Sequence, residues 1–164
     1  MEYTHQDQPQ QRDVLGELEA MVDFLETAFA GLTPAQRLEG GASDSFSPIE
    51  HVWHLADLEQ LGFAERIRRL QLEEFPHLAD FEGARIAREG RYRERSWSEG
   101  IEAFRSARAG NLAKFRALDA EQWQRRGTQQ GVGPVAMSDI PALMAEHDAA
   151  HREEITAWIQ WHKS

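Results

Sequence analysis

The chain has 164 residues, of which 41% are hydrophobic and 28% charged, enough to bury one sizeable core. A formal net charge of −10 opposes a phosphate backbone, and no Lys/Arg cluster with interleaved aromatics offers a local exception, which argues against nucleic acid as a partner. Cysteine is absent, which excludes disulfides, thiolate ligands and a cysteine nucleophile, and no apolar run reaches membrane-spanning length.

Residues 1–11 are polar and glutamine-rich, with nothing apolar to bury, and are expected to form a loose tail before a single domain over 12–164. They carry no basic n-region or apolar h-region, so a cytoplasmic protein is expected. From Val14 the apolar positions Leu15, Leu18, Met21, Val22, Leu25, Phe29 and Leu32 keep a helical period and predict helix one. A loop rich in glycine and serine over 40–45 precedes helix two. That helix opens with Ser47 as N-cap, Pro48 in the first turn and Glu50 three residues after the cap. Along it Val52, Ala56, Phe63, Ile67 and Leu70 share one face, while His54, Leu58 and Leu61 gather nearly opposite. Two apolar sides imply either a central helix or a subunit contact, and a homodimer is the expected assembly.

Residues 75–96 hold Pro76, Gly83, Gly90 and a run of charges, and predict a long crossover with one short helix. Ser96 and Glu99 form a second capping box, opening helix three with Trp97, Ile101, Phe104, Leu112, Phe115 and Leu118 inward. Gly110 inside that helix predicts a close backbone approach. Asp119 caps a short turn carrying Trp123, and the glycines between Gly127 and Pro134 predict a loop. Ser138 then caps helix four, which runs to about His162. No segment alternates like a strand, so the expectation is an all-α four-helix bundle.

The chemistry concentrates in helix four. His147 and His151 are four residues apart and therefore stack on one face, the same face that carries Leu143, Met144, Ile155 and Trp158. Seven histidines placed at random give roughly 0.3 pairs at this spacing, so the pair alone is a weak motif. Structural, hydrogen-bonded imidazoles are the alternative. His54, from helix two, raises the weight of the metal reading, because three imidazoles from two helices suit a divalent ion with open positions. Asp57, one turn past His54, and Asp148, beside His147, are candidates for orienting the imidazoles, and a surface role competes for each. His51, one turn before His54, is a weaker candidate ligand.

Three segments in order resemble the DinB/YfiT-like family: Phe46-Ser47-Pro48-Ile49-Glu50 leading to His54-Leu55-Ala56-Asp57, then Gly127-Thr128 with Gly131-Val132-Gly133-Pro134, and finally His147-Asp148-Ala149-Ala150-His151. The resemblance covers nearly the whole chain. It implies a four-helix bundle with a long second-to-third connection, usually dimeric, holding one divalent metal ion (nickel, zinc or iron) at His54, His147 and His151. It also implies one of several activities: S-transfer or conjugation with a low-molecular-weight thiol such as bacillithiol or mycothiol, a mycothiol-dependent isomerisation, or none yet assigned. Where the family often has glutamine three residues after the last histidine, this chain has Glu154, which stands as a carboxylate orienting a ligand, a further ligand, a base or a solvated edge residue. A divalent ion on neutral imidazoles is a Lewis acid, able to acidify a thiol for S-transfer or water for hydrolysis of a small-molecule substrate. A non-catalytic bundle with structural histidines is the reading from a different class.

Overall fold

A computed structural model describes residues 8–164. The first helix, α1, spans Gln8–Ala28 and buries Leu15, Leu18, Met21 and Leu25. It thus begins inside the stretch expected as a tail, whose first seven residues lie outside the described ones. The reason is Gln11, a buried polar side chain whose amide donates to the Ser138 carbonyl at 2.6 Å and so ties α1 to the start of the last helix. A search for apolar periodicity does not register such a residue. Gly31, at φ 78°, takes the left-handed conformation that turns the chain away beyond α1.

The capping residues predicted for helix two act as expected. The Glu50 carboxylate accepts from the Ser47 backbone N–H at 3.1 Å and from the Ser47 hydroxyl at 2.8 Å, and Pro48 opens α2, Pro48–Asp57. The rod then passes through one π-helical stretch, Leu58–Phe63, into α3, Ala64–Leu72. A π turn holds an extra residue, so the register shifts there. Glu59 and Gly62 are brought inward with Leu58, and Leu61, expected on the second apolar stripe, is instead 57% exposed. The central position of this rod accounts for the other stripe residues: Val52, Ala56, Phe63, Ile67 and Leu70 are all fully buried.

The crossover contains β1, His77–Leu78, then α4, Gly83–Gly90, and a 3-10 turn at Tyr92–Glu94. The third long helix, α5, spans Trp97–Arg116, its N-terminus capped by the Ser96 hydroxyl accepting from Glu99 N–H at 3.2 Å. The short α6, Ala120–Trp123, follows a reciprocal Asp119/Gln122 cap. Instead of a loop, residues 126–136 then form a hairpin: β2, Arg126–Gln129, antiparallel to β3, Gly133–Ala136. Strand β1 joins β2 in parallel, His77 opposite Thr128, giving the order β1-β2-β3. The sheet corrects the expectation of no strands. Segments of two to four residues containing glycine and proline carry no alternation to read, and their pairing is imposed from outside: a Cβ on Gly127 would meet the Pro76 carbonyl oxygen at 2.4 Å. A 3-10 turn, Met137–Asp139, leads into α7, Ile140–Lys163.

The α2–α3 rod packs on α5 and α1 packs on α7, which gives the predicted all-α bundle its four long members. Its interior holds two apolar clusters. One gathers Leu15, Leu58, Ile67, Leu112 and Met144, the other Met21, Val52, Phe104, Ile155 and Trp158. The site described below lies between them.

Two glycines of α5 have opposite roles. Gly110 is exposed, and a Cβ added there would meet nothing within 4 Å, so the close approach expected at this position does not occur. It occurs at Gly100, where a Cβ would stand 2.8 Å from the Trp53 ring nitrogen and 2.9 Å from Val52. Trp53 cannot yield easily, since that nitrogen donates to the Ser96 carbonyl at 3.0 Å and Arg95 stacks on the ring at 3.4 Å. Gly110→Ala is therefore expected to stabilise the fold by up to ~1 kcal/mol through helix propensity. Gly100→Ala is expected to destabilise it by about 1–3 kcal/mol through overpacking. Urea unfolding of both variants checks the pair.

Candidate metal centre

Four imidazoles meet between the two apolar clusters. His51 and His54 come from α2, one turn apart, and His147 and His151 from α7, one turn apart. The His54 and His151 rings lie 4.9 Å apart between centroids, His51 and His151 5.8 Å, and His147 and His151 6.5 Å. Phe46 closes one side, its ring 5.5 Å from His51 and 5.4 Å from His54. Burial first, and mutual repulsion second, lower the imidazole pKa values: to about 3 for His51 and about 4 for His54 and His151. His147, exposed at the wall of a cavity, is lowered too, by desolvation and by the Arg66 cation. All four are therefore neutral at pH 7, the protonation state in which imidazole binds metal.

Neutral buried imidazoles need partners, and three of the four have a ring nitrogen that lacks one. Among the described residues, the Nδ1 atoms of His51, His54 and His151 are buried with no hydrogen-bond partner. Unpaired donors and acceptors of this kind are costly in a core, so the ring nitrogens fit a divalent ion better than they fit structural histidines. Of the sequence-predicted ligands, His54 and His151 are brought into ring contact and His147 stands beyond His151 on the cavity side. Among the described residues, the group whose ligand atoms all lie within 4.8 Å of one another is His51, His151 and Glu154. His151 is thus common to both sets, and His51, given little weight from sequence, belongs to the cluster. Glu154 is half-exposed, with a carboxylate oxygen 3.6 Å from His151 Nδ1, and burial raises its pKa.

The two aspartates proposed from sequence have other partners. The Asp57 carboxylate accepts from the Tyr92 hydroxyl at 2.7 Å, which with burial raises the tyrosine pKa, and Arg95 approaches to 3.9 Å. Both oxygens of Asp148 accept from Arg108, at 2.8 and 2.9 Å. Arg108, on α5, is 2% exposed and also donates to Glu59 at 2.6 Å and to the Leu18 carbonyl at 2.8 Å; Asn111 donates to the second Glu59 oxygen at 2.8 Å. Burial acts to lower the guanidinium pKa, and the two carboxylates overcome it and raise it. Sequence reasoning missed this residue, although its signal was available: Arg108 sits on the apolar stripe midway between Phe104 and Leu112.

Residues 17–155 match the family model of the DinB superfamily. The chain belongs to the DinB superfamily. No curated protein is significantly similar to it in sequence. Among solved structures it is similar to YfiT from Bacillus subtilis, described as a probable metal-dependent hydrolase with an unusual four-helix bundle topology. The TM-score is 0.79 at 17% identity, over 98% of this chain and 95% of that one. This DinB fold has, among its described residues, no helix long and apolar enough to cross a membrane.

A cavity of about 370 Å³ opens beside the imidazoles, at the lower end of the range for ligand pockets. His54 and His147 form one wall, Phe63 and Leu143 an apolar one, and Arg66 and Gln129 a polar one.

Two outcomes follow for the DinB chain. Because the folded imidazoles are lowered from about 6.5, the unfolded state takes up protons first as pH falls. Stability of the metal-free protein is full above pH 6.5 and is expected to fall progressively toward pH 4, as urea unfolding across that range measures. Arg108→Leu strands two buried carboxylates and is expected to cost about 3–5 kcal/mol in the same assay at pH 7.

Proposed function

We propose that this chain is a divalent-metal-dependent enzyme acting on a small molecule in the cavity, with His54, His147 and His151 as ligands of one nickel, zinc or iron ion. The observation that carries the reading is the convergence of neutral imidazoles with unpaired ring nitrogens beside an open cavity. When bound, such an ion supplies Lewis acidity, which ionises a nucleophile at neutral pH. The protein's own groups do the rest. The imidazoles need lose no proton before ligation, so the ion keeps its full charge. Glu154, raised by burial and beside His151, takes the proton of the incoming nucleophile and later returns it to the leaving group. Asp57 and Asp148 act at one remove, fixing the two ligand helices through Tyr92 and Arg108.

The first reading of the nucleophile is a low-molecular-weight thiol, giving S-transfer or conjugation; with no cysteine in the chain, that thiol is a cosubstrate. The second reading is water, and it is favoured by the description of YfiT as a probable metal-dependent hydrolase. The assembly proposed is a homodimer, supported by the exposed Leu61, Leu72 and Phe75.

Elemental analysis of untagged protein tests the site. About one ion per chain is expected, lost in His54→Ala and His151→Ala. Retention in His147→Ala with loss in His51→Ala would move the ligand set to His51, His151 and Glu154. A folded protein that takes up no nickel, zinc or iron on reconstitution would remove the enzyme reading. In the loaded protein, Glu154→Gln is expected to lower turnover at least tenfold, in a thiol-plus-electrophile assay under the first reading and in ester or amide hydrolysis under the second.

A further inference from the structure

Arg66 is 6% exposed, yet among the described residues its one hydrogen bond runs from Nη2 to the Ala79 carbonyl at 3.5 Å, the limit of a real bond. Its guanidinium lies over the Phe63 ring, 5.4 Å from the centroid, and lines the cavity that His54 and His147 also line. No Arg66 nitrogen is both buried and unpaired among the described residues, so the donors that Ala79 does not take open onto the cavity, free for water or a ligand. Gln129, also buried and lining the same cavity, has an amide oxygen with no partner among the described residues. Two polar groups with few protein partners thus line one open cavity from α3 and β2.

We propose that Arg66 is the anchor for a carboxylate on the substrate, so that the cavity takes a small aromatic or aliphatic carboxylic acid. The carboxylate lies against the guanidinium fork, and the apolar body lies along Phe63, Leu58 and Leu143, pointing the reacting end toward the imidazoles. The Gln129 amide, which presents NH2 or oxygen according to its rotamer, completes the polar end. Two acids share the cavity lining, Asp80 and Glu146. Asp80 acts on Arg66 electrostatically, but among the described residues no ion pair joins them, and its carboxylate accepts from the Phe81 N–H at 3.0 Å. Both acids are exposed, where solvent screens their repulsion, whereas the buried Arg66 is screened far less. The balance beside the Arg66 guanidinium therefore favours an anion.

This inference deepens the metal-dependent reading and rests on it for the direction in which the substrate points, but anion capture by Arg66 does not need the ion. The test is titration of benzoate and of its neutral isostere benzamide into full-length protein, both metal-loaded and after treatment with EDTA. Wild type is expected to bind benzoate at least tenfold more tightly than benzamide in both states, and Arg66→Gln to lose that preference in the EDTA-treated state while still taking up metal. In wild type the Arg66 Nε–H resonance is expected to shift as benzoate saturates, a readout that needs no variant to fold. Equal benzoate affinity in Arg66→Gln and wild type after EDTA, no preference over benzamide in EDTA-treated wild type, or an unmoved Arg66 signal at saturation overturns the anchor. A protein that binds no metal but keeps the Arg66-dependent preference refutes the metal reading and leaves the anchor standing.

Discussion

The arrangement of the site depends on one buried cation. Arg108 reaches from α5 into the middle of the bundle and binds Glu59 in the π stretch and Asp148 on α7, with the Leu18 carbonyl of α1 as a further acceptor. All four long helices thus meet at one guanidinium. Asp148 is the neighbour of His147, and Glu59 is two residues past Asp57, so the contact fixes the rotation of both histidine-bearing helices at once. A buried ion cluster of this kind adds little net stability over an apolar core, since desolvation offsets the attraction. Its contribution is register. A rotation of α7 by one residue, about 100°, would break the bidentate Asp148 contact and carry the imidazoles away from α2.

The π stretch belongs to the same device. In an unbroken α-helix Leu61 would follow Leu58 inward; the wider turn brings Glu59 to face Arg108 and leaves Leu61 exposed. The rod accepts poorer backbone geometry so that a carboxylate arrives at the right depth. Glu59, Arg108, Asn111 and Asp148 thus form one buried polar group, and the adjacent Asp148 and His147 link it along α7 to the imidazoles.

What the sequence made legible is what local chemistry decides. Ser47, Pro48 and Glu50 set the start of α2 and hence the direction of His54, and the spacing of His147 and His151 set their common face. What escaped depends on contacts between distant segments. The strands pair only because Gly127 lets the chain lie against Pro76. The register past Asp57 shifts because Glu59 has a partner on α5, and helix one starts early because Gln11 finds the Ser138 carbonyl. His51 falls outside the three positions that the resemblance matches, yet His51 and His54 both reach His151. The metal ligands proposed from the resemblance and the tighter group around Glu154 therefore overlap in one cluster, which no count along α2 alone could reveal.

The two buried arginines show how the same side chain is given different work. Arg108 is nearly as deep as Arg66, at 2% against 6% exposure, but it has two carboxylates, a carbonyl and a fixed place. Arg66 has one distant carbonyl and, in the same cavity lining, the Asp80 carboxylate acting on it only through space. A chain with 28 acidic residues has ample carboxylates to neutralise both. Of the two, only the one in the bundle centre is ion-paired among the described residues, whereas Arg66 lines the cavity with the neutral imidazoles, and Asp80 acts on it through space. The proposed anion would thus meet a guanidinium and neutral imidazoles lining one cavity, and nothing in the imidazoles would repel it.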